Sequence, residues 1–154
     1  MKKIFIVGNP TAGSGKFSKY LKLLIKKLEQ EKIAFEVFPT TISKNALHAV
    51  KKHFNNSFTD VIAIGGDGTL NEVVNAISPN TPLGIIAAGT GNDYVKCLDL
   101  GQSLDEKIET AIYGKTHQAD VGVCNNRKFV NGVGIGFDGQ IVADLIQKKT
   151  WLKG

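Results

Sequence analysis

Apolar and polar positions along this chain fall into blocks whose period keeps switching. Short, mostly apolar runs at 3–7, 35–38, 61–64 and 83–86 read as strands, the third apolar throughout and largely β-branched, and each is followed by a loop and then a helical pattern. After the first run, Phe17, Tyr20, Leu21, Leu24, Ile25 and Leu28 mark one stripe of an amphipathic helix. Ala46, Leu47 and Val50 are expected to face inward after the second, with Ser43 placed to cap that helix. Leu70, Val73, Val74 and Ile77 repeat at helical spacing after the third. A short helix follows the fourth, and Ser103-Leu104-Asp105-Glu106 forms a capping box for a helix that runs through Tyr113 and stops at Gly114. Strands alternating with helices through short loops predict an α/β fold with a doubly wound, mainly parallel sheet. The last quarter changes pattern. Residues 119–124 and 127–130 flank Asn125-Asn126, a two-residue hairpin signal, and a glycine-rich run from Gly132 to Gly136 leads into a helix carrying Ile141, Val142, Leu145 and Ile146.

A length of 154 residues predicts one domain with a substantial core, and 42% hydrophobic with 21% charged residues is ordinary for a globular protein. The net charge of +5 is partly local, because Lys16, Lys19, Lys22, Lys26 and Lys27 share one segment. That face is expected to be solvated helix surface, with attraction to an anionic membrane surface or to nucleotide as the functional reading. A single arginine, Arg127, and no interleaved aromatics argue against nucleic acid. Cys97 and Cys124 are isolated and read as buried, reduced thiols of a cytoplasmic protein. The apolar run after Met1-Lys2-Lys3 ends within four residues at Gly8-Asn9-Pro10, too short for a signal core or a membrane span. The chain stops at Trp151-Leu152-Lys153-Gly154 without a closing strand, so residues 1–154 are expected to be one domain truncated before another.

The chemistry concentrates where strands end. Ligands of open parallel sheets bind at the carboxyl ends of strands, and four such ends here carry loop sequences rich in Gly, Thr and Asp or Asn. The third is the most informative: Gly65-Gly66-Asp67-Gly68-Thr69 interrupts a strand and opens a helix. That arrangement aims unpaired N–H groups and the positive end of a helix dipole at an anion, and glycine lets the backbone approach it. Asp67 would repel a bare phosphate, so the loop suggests a nucleotide with a divalent cation, magnesium, in the Asp67 shell. The alternative is an ordinary turn in which Asp67 caps its own helix. The fourth loop, Gly89-Thr90-Gly91-Asn92-Asp93, repeats the same logic and reads as the opposing wall. The first, from Asn9-Pro10-Thr11-Ala12-Gly13 to Lys16, is not a P-loop: Pro10 stands where glycine is needed, and Phe17 where Ser or Thr would hold magnesium. At the second, Thr40 is either a turn hydroxyl or a contact to base or ribose. Asn71 and Tyr94 occupy the third glycine positions of a dinucleotide fingerprint, which argues against a dehydrogenase. His48, His53 and His117 have no partner motif and read as structure rather than catalysts.

Asn9-Pro10-x-x-Gly13, Gly65-Gly66-Asp67-Gly68-Thr69-Leu70-Asn71-Glu72-Val73 and Gly89-Thr90-x-Asn92-Asp93 together resemble the three motifs of the diacylglycerol kinase catalytic-domain family, which includes bacterial lipid kinases and the sphingosine and ceramide kinases. Asn131-Gly132 and Gly136-Phe137-Asp138 resemble a further segment of it. The resemblance implies the α/β fold shared with NAD kinases, ATP and magnesium as cofactors, and a lipid acceptor such as diacylglycerol. It implies nucleotide contacts from Asn9, Pro10, Thr11, Ala12, Gly13, Thr40, Gly65, Gly66, Asp67, Gly68, Thr69, Leu70, Asn71, Glu72, Thr90 and Asn92, with Asp67 and Asp93 the catalytic candidates. The acidic general base and the lipid pocket are expected in a β-rich second domain beyond Gly154. A homodimer is left open, as is peripheral placement at the inner membrane face. The alternatives are an NAD kinase-like enzyme, which shares the Gly-Gly-Asp-Gly-Thr loop, and a non-catalytic nucleotide-binding module.

Overall fold

The computed structural model describes residues 1–10, 15–40 and 45–151, with side chains of the last helix described as far as Asp144. Strands β1 (Lys3–Gly8), β2 (Ala34–Pro39), β3 (Asp60–Gly65) and β4 (Leu83–Ala87) form one sheet in the order β2-β1-β3-β4. Every pairing is parallel, with Ile4 opposite Phe35, Ile6 opposite Ile62 and Ala63 opposite Ile85. The two central strands are buried on both faces, as an all-parallel sheet between helical layers requires.

Alternation along β1 and β3 divides the core. Ile4, Ile6, Ile62 and Ile64 face one side, where they meet Phe17, Leu24 and Leu28 of α1 (Lys16–Gln30) and Ile108 and Ile112 of a later helix. Phe5, Val7, Val61 and Ala63 face the other and meet Ala46, Ala49 and Val50 of α2 (Ala46–His53) and Val73 of α3 (Asp67–Val74). Phe5 is the hub of that second core: it stacks on Phe38 at 4.2 Å and meets Phe54 and Phe58 edge-on. The short α4 (Asp93–Lys96) follows β4, and α5 (Leu104–Tyr113) carries Ile108 and Ile112. Helices on both faces make the sheet doubly wound, as the sequence pattern predicts.

The capping box at Ser103 and Glu106 forms in full, with Glu106 Oε2 accepting from Ser103 N at 2.8 Å. The cap of α2 differs from expectation. Asn45 Oδ1 accepts from His48 N at 3.0 Å, Ser43 lies outside the described residues, and Ala49 is buried while Leu47 is only half-buried. The hairpin is shorter than its sequence signal: β5 (Gly122–Cys124) pairs antiparallel with β6 (Arg127–Phe129) through Asn125 and Asn126, both left-handed. It forms its own two-stranded sheet. Cys97 is exposed and Cys124 half-buried, so neither is the buried thiol expected. The last element of the described residues is α6 (Phe137–Trp151).

Candidate functional site

All four strands point the same way, so the loops after them share one edge of the sheet. Backbone bonds tie the strand ends together there: Asn9 N donates to Ile64 O (3.2 Å), Thr40 N to Gly8 O (2.8 Å) and Ala88 N to Gly65 O (2.9 Å). The connections of β1 and β3 diverge, with α1 on one face and α3 on the other. The space between them is the switch point at which open α/β sheets bind ligands.

Helix capping separates these loops. The start of α2 is satisfied twice, by Asn45 and by Glu72, whose Oε2 accepts from Ala46 N at 2.8 Å. The start of α4 is satisfied from across the edge, where Asp67 Oδ2 accepts from Asp93 N at 3.1 Å and Oδ1 from Tyr94 N at 3.3 Å. In contrast, α1 and α3 begin at Gly15 and Gly66, which supply no capping side chain. The first-turn N–H groups of these two helices flank the switch point, and their dipoles favour an anion there.

Asp67 therefore does not cap its own helix. It caps α4, and Asn131 Nδ2 also donates to its Oδ1 at 3.1 Å. Burial pulls this carboxyl's pKa up. Donation from Asn131 and from the backbones of Asp93, Tyr94 and Asn92 outweighs that and holds it below the usual 3.8. The group is ionised at neutral pH and fixed in orientation. Asn71, one turn further along α3, holds its side-chain Oδ1 buried with no hydrogen-bond partner among the described residues. Asp67 and Asn71 stand at i and i+4, on one side of α3. A magnesium ion commonly uses only one or two protein carboxylates and takes its remaining ligands from water and phosphate. This donor set fits a cation carried in by a nucleotide. No cluster of three or more His, Cys, Asp or Glu residues suited to a metal occurs among the described residues.

The structure brings the third and fourth loops into direct contact. A Cβ on Gly89 would lie 2.5 Å from Gly66 Cα, and one on Gly66 would lie 3.1 Å from Gly89 Cα. These glycines are required by each other, whereas sequence reasoning assigned them to phosphate alone. Gly65 is required by Thr69, whose Oγ1 lies 2.4 Å from the site of a Cβ. Gly68 is different: none of the described residues lies within 4 Å of the position its Cβ would take, so that face is open among them. Asn92, left-handed at φ 56°, closes the fourth loop on itself, with Nδ2 donating to Gly89 O at 2.7 Å and Oδ1 accepting from Gly89 N at 3.1 Å. The Asp93 carboxylate faces solvent and pairs with Lys96 at 2.8 Å, while Thr90 is exposed. Thr40 is buried beside Gly8, and Leu70 is buried in the core beneath the loop. Asn9 and Pro10 lie on the same edge, and Thr11, Ala12 and Gly13 fall outside the described residues. His53 stacks on Phe38 at 4.9 Å, a structural role. Asn131, Asn75 and Lys128 were not singled out for this site by their sequence, because their contacts bridge more than 50 residues.

A four-stranded parallel sheet with two helices that begin at glycines and a fixed carboxylate at its switch point defines a doubly wound α/β domain. Residues 3–124 match the diacylglycerol kinase catalytic domain, and the chain belongs to that family. It is 37% identical over 157 aligned residues to a diacylglycerol kinase of Bacillus subtilis (strain 168), an alignment covering 99% of this chain and 52% of that protein. A diacylglycerol kinase of Staphylococcus epidermidis is 38% identical over 133 residues, covering 84% of this chain and 42% of the relative. The crystal structure of a diacylglycerol kinase from Bacillus anthracis str. Sterne superposes with a TM-score of 0.72 at 27% identity, over 84% of this chain and 46% of that one. The chain thus spans about half the length of the curated relatives it matches. The family shown is that of the diacylglycerol kinases rather than the NAD kinases. No helix among the described residues is long and apolar enough to cross a membrane.

Proposed function

We propose that this chain is the nucleotide-binding half of a lipid kinase that transfers the γ-phosphoryl group of ATP, with magnesium, to a lipid hydroxyl such as that of diacylglycerol. The observation that carries this reading is the pair of helices, α1 and α3, that begin at glycines with no side-chain cap among the described residues, on either side of the β1–β3 divide with Asp67 beside them. Phosphoryl transfer is catalysed mainly by positioning and by neutralising charge on the transferred group. The N–H groups of Asp67, Gly68 and Thr69 suit phosphate oxygens, and Asp67 with Asn71 suits the magnesium shell. Magnesium bound there would neutralise phosphate charge. Gly65, Gly66, Leu70 and Asn92 shape the loops, and Glu72 holds α2 in place. Asn9 to Gly13, Thr40 and Thr90 complete the nucleotide side. Asp93 supports Asp67 through its backbone N–H and offers its carboxylate to solvent near the same site. The acceptor pocket and general base belong to a further β-rich domain outside these residues. A lipid acceptor brings the enzyme to a membrane surface, and the exposed Lys16, Lys19, Lys22 and Lys26 of α1 suit peripheral contact with it, whereas Lys27 is engaged by Glu31 and Glu109.

Calorimetric titration of this chain with ATP, with and without magnesium, tests the nucleotide part. Binding that strengthens with magnesium, and loses much of that dependence in Asp67→Asn, is expected. Equal affinity under both conditions would overturn the assignment of Asp67. Incubation with magnesium-ATP and diacylglycerol in mixed micelles tests the rest. Turnover equal to that of a full-length relative would refute the two-domain division of labour, whereas nucleotide binding without turnover is expected.

A further inference from the structure

The β5–β6 hairpin stands apart from the main sheet, yet it is firmly seated on α3. Asn75, just past the last turn of that helix, exchanges two hydrogen bonds with the Lys128 backbone: its Nδ2 donates to Lys128 O at 2.8 Å and its Oδ1 accepts from Lys128 N at 2.9 Å. Lys128 Nζ also donates to Val74 O and Ile77 O, both at 3.3 Å, where the helix end carries partial negative charge. From this seat the chain runs back along the helix. Three residues on, Asn131 reaches Asp67 Oδ1 at the opposite end of α3. The distances agree: eight helical residues span roughly 12 Å and three extended residues roughly 10 Å. The other donors to Asp67 come from residues 92–94. Asn131 is thus the contact through which the hairpin segment touches the carboxylate.

We infer that Asn131 is a positioning residue, which holds the Asp67 carboxylate in the orientation presented to a magnesium–nucleotide complex, and that the seat of the hairpin on Asn75 keeps it there. The inference rests on the nucleotide reading above. An amide suits this task because it donates a hydrogen bond without bringing charge. A lysine or arginine in its place would neutralise the carboxylate and compete with the cation. Asn131 is solvent-exposed and contributes nothing to either core, so its truncation leaves folding intact.

The test compares wild type, Asn131→Ala, Asn75→Ala, Asp67→Asn and the Asn131→Ala/Asp67→Asn double variant. ATP affinity is measured with magnesium and with chelator, and amide hydrogen exchange at Asp93 and Tyr94 is followed without nucleotide. A lost hydrogen bond to a charged, partly exposed group corresponds to about 5–20-fold weaker magnesium-ATP binding in Asn131→Ala. Metal-free ATP affinity should stay within about twofold, and the Asn131 change should add nothing in the Asp67→Asn background, because contacting residues are not additive. Asn75→Ala should reproduce the loss in weaker form. A merely structural role would weaken both forms of ATP equally and would persist in the double variant; either result overturns the inference. A wild-type chain that binds no magnesium-ATP overturns the proposed function instead. The hold of Asn131 on Asp67 is then decided by exchange alone: faster exchange at Asp93 and Tyr94 in Asn131→Ala upholds it, and unchanged exchange refutes it.

Discussion

Gly68→Ala separates what the glycine loop does for the fold from what it does for a ligand. Gly68 is the second residue of α3, is not in the left-handed region, and has nothing among the described residues within 4 Å of the position a Cβ would occupy. Alanine there restricts the unfolded chain and suits a helix, so stability should rise by about 0.5–1 kcal/mol. For a chain of this size that corresponds to a Tm increase of about 1–4 °C. Nucleotide binding should move the other way. The added methyl stands on the open face over the uncapped first turn, where a phosphate would approach the N–H groups. Losing one hydrogen bond to a charged phosphate oxygen costs about 1.5–3 kcal/mol, or roughly 10–100-fold in Kd. Thermal unfolding by circular dichroism and titration with magnesium-ATP measure the two effects on one preparation. A more stable variant that binds as tightly as wild type would refute the phosphate assignment of this turn. A variant less stable than wild type would refute the reading of Gly68 as sterically open.

Gly89→Ala is the counterpart: its Cβ would meet the Gly66 backbone at 2.5 Å, so the loops must part, and destabilisation of about 1–3 kcal/mol by chemical denaturation is expected, with unchanged stability counting against the contact. The Asp67 carboxyl has a folded pKa below the usual 3.8, so its contribution to stability is fully present above that value and is lost as pH falls through the lowered one. The Tm difference between wild type and Asp67→Asn should therefore be constant from about pH 5 to 8 and shrink below pH 4, and a difference that grows on acidification would reverse the assigned sign.

The strands and most of the helices were legible because burial writes a period into the sequence. The β-branched runs at β1 and β3 are apolar on both faces, and the Ser103 capping box is local in sequence as well as in space. The turn at Asn125-Asn126 was legible for the same reason, since both residues tolerate the left-handed backbone it needs. The site was legible only in part. Glycines were visible, but their reasons were not: Gly66 and Gly89 are constrained by each other across 23 positions, a contact that no local pattern encodes. The cap of α2 by Glu72 crosses 26 positions, and the bond from Asn131 to Asp67 crosses 64. In the sequence Asp67 reads as a loop carboxylate of a magnesium shell or as a cap of its own helix. Its hydrogen bonds to α4 and to the segment after the hairpin give it a part in joining three pieces of chain.

This dual use of Asp67 explains how a negative charge can sit in a loop built to receive phosphate. An isolated carboxylate at an anion site would swing away or take up a proton as phosphate approached. Here three backbone donors and one amide fix its direction and stabilise its ionised form before any ligand arrives. Preorganised charge of this kind does not have to be reoriented at the moment of binding. On the proposed reading, repulsion towards phosphate becomes a preference for a nucleotide that brings its own divalent ion. The closed Gly89–Asn92 loop serves the same end, since it holds the N–H groups of Asp93 and Tyr94 where Asp67 needs them. The fourth loop acts on the third by fixing the carboxylate, and on this reading its own carboxylate, at Asp93, is free to face whatever occupies the open side of the edge.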